Sequence, residues 1–182
     1  MSSGEMNEDE VSAWVDSVLP KALAFARTLV MDLATAEDLV HDCLFRIWQR
    51  RSQYNLKSDG LRLLFRSIAN AAVDRFRRAG RVQAEDWMSD ESASVRSTDT
   101  EPSAAILLDE TKSIISIAMS KLSMNQRAAL QLCSQGCSLR EIAESLKVSE
   151  QNAGVLVHRA RKAMEVMLSP YLKDGTLSGV KR

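Results

Sequence analysis

Apolar positions recur along the chain every three or four residues, the period of a helix buried on one side. Val11, Trp14, Val15, Val18 and Leu19 form a first stripe, and Leu23, Phe25, Ala26, Leu29 and Val30 continue it to about residue 31. Pro20 lies between the two runs and is expected to break or restart the helix, because its ring removes a donor and crowds the preceding turn. Val40, Cys43, Leu44, Ile47 and Trp48 give the next buried stripe, in a helix with Thr35 as its expected cap that ends near Arg51. Leu61, Phe65, Ile68, Ala72 and Phe76 define the inner face of a third helix, Leu61 to Arg81. From Gln83 to about Ser103 the period is lost and Ser, Asp, Glu and Thr prevail, the composition of a flexible linker. Periodicity returns from Ala104 to Leu122, with Ile106, Leu107, Ile114, Ile115, Ile117 and Ala118. Ser123 with Gln126 then reads as a capping box for a helix that carries Ala129, Leu130 and Leu132 and stops near Gly136.

The stretch from Ser138 to Arg161 predicts two helices with a sharp stop between them. Ser138 and Glu141 form another capping box, and Ile142, Ala143 and Leu146 follow at helical spacing. Lys147, Val148 and Ser149 are a turn, and Ser149 can cap a second helix that turns Ala153, Val157, Ala160 and Met164 inward. This is the pattern of a helix-turn-helix, whose second helix enters the major groove. A plain helical hairpin with a solvated basic face is the competing reading. The predicted architecture is all-α: a helical domain over residues 11–82, a flexible acidic linker over 83–103, and a second helical domain over 104–172 that contains the helix-turn-helix. About 20 residues of coil span roughly 25 Å. Stretched, they can set two modules more than one turn of DNA (~34 Å) apart.

Composition narrows this picture. Aromatic residues are 5% of the 182, and Gly and Pro together are few, which argues against an all-β fold. No charge-free apolar run is long enough for a membrane span, and the polar, acidic start is unlike a secretory signal. Three cysteines without a framework spacing fit reduced thiols and a cytoplasmic location. Cys133 and Cys137 read as small buried hydrophobes rather than metal or redox groups. No metal, cofactor or catalytic residue is expected, and there is no glycine-rich phosphate loop.

The net charge of zero conceals a strong asymmetry. Leu61 to Val82 carries six arginines against the single acid Asp74, Gln83 to Glu110 carries eight acids against Arg96, and Leu139 to Lys162 has a basic excess of two. Two basic segments therefore flank an acidic one, giving two candidate polyanion-binding surfaces. On the third helix Arg62, Arg66, Asn70, Asp74 and Arg78 are four apart without a gap, with Arg75 and Arg77 beside them. Guanidinium groups hold phosphates, while an amide and a carboxylate can read base edges. In the second domain Arg140, Gln151, Asn152, Val155, His158, Arg159 and Arg161 face away from the predicted core. On the second helix Asp38, His41, Asp42 and Phe45 form one patch. Acids near a helix start are ordinary. An exposed phenylalanine beside them points to a protein-binding surface.

The order of these parts resembles the extracytoplasmic-function (ECF) group of bacterial sigma factors, the promoter-recognition subunits of RNA polymerase. Ala36-Glu37-Asp38-Leu39-Val40-His41-Asp42 with Trp48 is similar to the family's polymerase-binding helix. Asn70 and Asp74 with Arg75, Arg77 and Arg78 resemble its minus-ten motif. Leu122 to Arg127 is similar to the start of its second domain, and Gly136 to Ala143 and His158-Arg159-Ala160-Arg161 resemble its helix-turn-helix signatures. The resemblance implies core RNA polymerase and promoter DNA as partners and admits an anti-sigma factor. It implies that Asp38, His41, Asp42 and Phe45 dock on the polymerase, that the arginine stripe holds the minus-ten strand with Asn70 as base reader, and that the second domain reads the minus-thirty-five element. It implies no enzymatic step. Departures are His41 for Gln, Leu44 for Phe, Ser123 for Pro, Lys147 for the turn Gly, and Gly154 and Leu156 for basic residues. The last two imply a weakened upstream contact unless Leu156 is buried. A stand-alone helix-turn-helix regulator and a sigma-like protein-binding adaptor are the alternatives. The first leaves the acidic helix and the arginine stripe without a role.

Overall fold

The computed structural model describes residues 7–86 and 106–173, and among these it contains seven α-helices, one 3-10 turn and no strand. Helix α1 (Glu8–Val30) begins at Asn7, whose side chain accepts the Glu10 N–H while the Glu10 carboxylate accepts the Asn7 N–H. This reciprocal cap satisfies two donors that the helix itself cannot. The expected break at Pro20 does not occur, and α1 runs straight through it. Pro20 and Asp16, whose carbonyl loses its partner, are both exposed, so water can take the missing bond. Buried residues on either side, Val18 and Ala22, Phe25, Ala26 and Leu29, keep both halves on one core.

Met31 ends α1 in the left-handed region (φ 56°), its N–H bonded to the Arg27 carbonyl. Asp32, not Thr35, caps α2 (Leu33–Gln49): its Oδ2 accepts the Thr35 N–H at 2.8 Å. Both residues have cap-forming side chains, and the extended backbone that a cap requires falls on Asp32. Ala36, Leu39, Val40, Cys43 and Ile47 face inward. After α2 a 3-10 turn (Arg51–Gln53) follows, with the Arg51 guanidinium 4.2 Å from the centre of the Trp48 ring.

Helix α3 (Leu56–Asp86) starts earlier than Leu61 because Asn55 caps it: its side chain accepts the Ser58 N–H and its carbonyl the Asp59 N–H. It also runs beyond Arg81, so residues 83–86 of the expected linker are helical, and the rest of that linker lies outside the described residues. Gly60 lets α1 and α3 meet, since a Cβ there would stand 2.6 Å from the Trp14 ring. Leu64, Phe65, Ile68, Ala69, Ala72 and Val73 are buried, and Phe65 stacks on Phe25 at 4.6 Å between ring centres. Phe76, expected on the inner face, is 61% exposed, because the buried stripe ends at Val73 where α3 passes the edge of the bundle.

The second domain comprises α4 (Ile106–Ser120), α5 (Met124–Ser134), α6 (Leu139–Leu146) and α7 (Glu150–Lys173). Both predicted capping boxes, Ser123 with Gln126 and Ser138 with Glu141, are present. Gly136 follows α5 at φ 78°, the conformation in which glycine costs least. Leu132, Ile142 and Leu146 are wholly buried. Each contributes about 1.5–3 kcal/mol of transfer free energy. The two domains do not stand apart: α3 packs on α5 and α6, α1 packs on α5, and one apolar core runs through both.

Candidate nucleic-acid and polymerase interfaces

On α2 the four residues predicted to form a patch do so. Asp38, His41, Asp42 and Phe45 are all exposed, while Leu39, Val40, Cys43 and Ile47 are buried on the opposite side. Phe45 keeps 55% of its surface in water and Leu33, at the start of the helix, 50%. More than half of the Phe45 surface stays in water one turn beyond Asp42, and covering it against a partner would be favourable.

The stripe on α3 is placed differently from the sequence expectation. Its central members turn toward the second domain rather than toward solvent. Arg66 donates from Nη2 to Glu144 Oε2 at 2.8 Å, from Nη1 to Glu141 Oε1 at 3.5 Å and from Nε to the Ser145 hydroxyl at 3.2 Å. Arg62 Nε lies 3.5 Å from the same Glu141 oxygen and its Nη2 3.5 Å from Asp59. Asp74 accepts a 2.6 Å bond from Lys147 Nζ and sits 3.7 Å from Arg77, whose Nη2 donates to the Leu146 carbonyl at 2.9 Å. Asn70 is half-buried. Arg75 and Arg78 are exposed, and Arg75 is close enough to Asp32 to interact with its charge. An open cleft of about 290 Å³ remains at this seam between Asp74, Arg77, Arg78 and Lys147.

The helix-turn-helix has the predicted geometry. Ser138 and Glu141 fix the start of α6, and hydrogen bonds from Ser138, chiefly its backbone N–H, hold the Glu141 carboxyl below the usual range, with Arg62 and Arg66 adding to the effect. Lys147 closes α6 in the left-handed region (φ 55°), and its N–H returns to the Ala143 carbonyl. Ser149 accepts the Asn152 N–H at the start of α7. Ala153, Val157 and Ala160 are buried and Met164 half-buried, as predicted. Arg140, Gln151, Asn152, Val155, His158, Arg159 and Arg161 are all exposed, and Val155 retains 39% of its surface. Arg161 also donates to the Cys133 sulfur at 3.1 Å, and Arg140 to Glu144 at 3.2 Å. Leu156 is partly buried and packs against the core. A Cβ on Gly154 would meet only the Leu139 side chain, at an ordinary 3.7 Å.

Sequence reasoning missed Arg127 as a structural hub. Its guanidinium donates to the carbonyls of Met119, Ser120 and Leu122 and, at 2.7 Å, to Leu29 at the end of α1. Burial pulls its pKa down, and the four carbonyls compensate the charge. Its place in the Leu122–Arg127 motif was the only signal. The period of α6 likewise gave no sign that Glu144 and Ser145 meet α3, and Lys147 stood only as a turn residue.

Residues 14–82 match the family Sigma-70 region 2, and residues 114–164 match Sigma-70, region 4. The ECF RNA polymerase sigma factor SigL of Mycobacterium tuberculosis is 28% identical over 146 residues, which cover 79% of this chain and 80% of SigL. Among solved structures, the sigma factor RpoE in complex with the anti-sigma factor NepR from Bartonella quintana is similar, with a TM-score of 0.61 and 27% identity over 87% of this chain and 96% of that one. The first match falls on α1–α3, which carry the acidic patch and the arginine stripe, and the second on α4–α7, which carry the helix-turn-helix. The chain belongs to the ECF group of RNA polymerase sigma factors, which direct core polymerase to specific promoters at transcription initiation.

Proposed function

We propose that the two domains divide promoter recognition as follows, without an enzymatic step and in the cytoplasm. The α2 patch of Asp38, His41, Asp42 and Phe45 docks on core polymerase. On α3, Arg62, Arg66, Arg75, Arg77 and Arg78 hold phosphates of the minus-ten strand, with Asn70 as a base reader and Asp74 beside it. An amide can bond adenine at two points, which gives Asn70 a chemical reason to discriminate. Extruding a base costs a few kcal/mol, offset by pocket contacts and phosphate charge. The exposed face of α7, with Arg140 from α6, meets the minus-thirty-five duplex. The observation that carries the polymerase assignment is the exposure of Phe45 on the same face as Asp38 and Asp42, on a helix whose other side is core. The Bartonella relative was solved with an anti-sigma factor, and a protein of that kind is a fitting partner here as well. Run-off transcription with core polymerase on genomic fragments tests the division. Asp38→Arg with Asp42→Arg is expected to abolish co-purification with core polymerase while helicity is kept. An unchanged pull-down would remove α2 from the interface.

A further inference from the structure

Phe76 is 61% exposed, the most exposed aromatic side chain among the described residues. It continues the line of Phe65, Ala72 and Val73 on the inner side of α3, past the edge of the bundle that buries them. Side chains on a helix lean toward its N-terminus, so a residue is covered by those three and four positions after it. After Phe76 these are Ala79 and Gly80, and a Cβ on Gly80 would meet nothing within 4 Å. The ring is therefore left bare, flanked in sequence by Arg75 and Arg77 and followed by Arg78, with Arg75 and Arg78 exposed. A bare ring among guanidinium groups suits single-stranded nucleic acid: the cations take phosphates and the ring takes the face of a base. Bases in a duplex cover one another's faces, so such a ring engages an opened strand and not a closed one. We propose that Phe76 is a stacking platform for one unpaired base of the minus-ten strand. This rests on the assignment of the α3 arginines to that strand. Every base has a π-face, so the platform favours the open strand without choosing its sequence. Phe76 stands six residues from Asn70, about 9 Å along the helix axis. At about 3.4 Å per nucleotide, it takes a base at least two positions from the one that Asn70 reads.

The test uses holoenzyme reconstituted from the full chain and core polymerase, on a promoter fragment active in run-off transcription. The fluorescent base 2-aminopurine replaces each base of the minus-ten strand in turn. It brightens when it unstacks and stays quenched when it lies on a ring. In the native open complex one position, at least two nucleotides from the base affected by Asn70→Ala, is expected to stay dark. Phe76→Ala should brighten that position and weaken the open complex about tenfold, the scale of one lost stacking contact. The salt slope should not change, because no phosphate contact is lost. Phe76→Tyr and Phe76→Trp should restore the quenching, and Phe76→Leu should not. The side chain is exposed, so all four variants are expected to keep the native melting temperature. Gly80→Leu keeps the ring but covers it, and should brighten the same position. If leucine at position 76 works as well as phenylalanine, the ring is covered by a protein surface and the proposal is overturned. A Phe76→Ala holoenzyme that matches the native one, while Arg78→Ala still lowers the salt slope, overturns the platform and leaves the stripe assignment standing. An unchanged slope for Arg78→Ala overturns the stripe assignment, and with it the platform.

Discussion

Arg127 ties together the ends of two helices that belong to different domains. The last carbonyls of a helix have no intrahelical partner. At the ends of α1 and α4 the planar fork of Arg127 takes them. Arg127→Ala leaves those carbonyls short of a donor and is expected to lower stability by roughly 2–4 kcal/mol. Arg127→Lys should recover only part of this, because an ammonium cannot reach all four oxygens in one geometry. Urea unfolding of both variants measures the effect, and a loss below about 0.5 kcal/mol for Ala would show the bonds to be incidental. At α7 the two unusual residues separate by environment. Gly154→Ala should stabilise by about 0.5–1 kcal/mol through helix propensity, since the added methyl meets only ordinary contact. Leu156→Arg should lower the melting temperature, because it replaces a side chain packed on the core with a charge. An unchanged or higher melting temperature for Leu156→Arg would return this position to the DNA-facing set.

At the scale of elements, the helix starts depend on side-chain caps, and three of these involve carboxylates. Hydrogen bonding lowers the pKa of each: Glu10 mainly through Lys57, Asp32 through Thr35, and Glu141 through Ser138. A carboxylate with a depressed folded pKa adds stability that is fully present above its unfolded pKa and is lost as pH falls through the folded one. With reference values of 4.5 for Glu10 and Glu141 and 3.8 for Asp32, stability should be level from neutral pH toward 5 and should decline below about 4.5. Glu141→Gln should make that acid-side decline shallower. An identical acid limb in the two proteins would remove Glu141 from it. Ser138→Ala takes away the hydroxyl that accepts the Glu141 N–H at 3.3 Å and should cost about 1 kcal/mol. Among elements, α3 differs in kind. Its inner face joins the first-domain bundle, and its arginine face meets α6.

At the scale of the whole molecule, one continuous core draws buried residues from both domains. Cys43 is fully buried in it, and burial pushes its thiol up to about 11. The thiolate is the reactive form, so Cys43 should be labelled only when the core opens. Cys133, on the half-buried side of α5, should react first with a thiol reagent near pH 8. Equal rates at Cys43 and Cys133 would contradict a shared, closed core. In the polymerase complex, Arg66→Ala and Arg78→Ala should each reduce the salt slope of promoter binding by about one unit. Asn70→Ala should relax preference at one base. A uniform loss across sequences would assign Asn70 to positioning instead.

The sequence by itself determined the helices, their order, the caps of the helix-turn-helix and of the helix before it, and most of the positions that each helix buries. Those properties depend on residues within about four positions of one another, where apolar period and cap chemistry act directly. The exposed α2 patch was legible for the same reason: Asp38, His41, Asp42 and Phe45 lie opposite a clear buried stripe. Even there, the choice of Asp32 over Thr35 and the passage of α1 through Pro20 needed the backbone path and the core on either side. The surroundings of the α3 stripe were not legible. Arg66 meets residues 75, 78 and 79 positions away, and nothing in the period of either helix specifies that pairing. Tertiary packing alone brought Glu141 and Glu144 onto the arginines, placed Arg127 at two helix ends and set Leu156 partly against the core, because each depends on which apolar faces share a core rather than on local spacing.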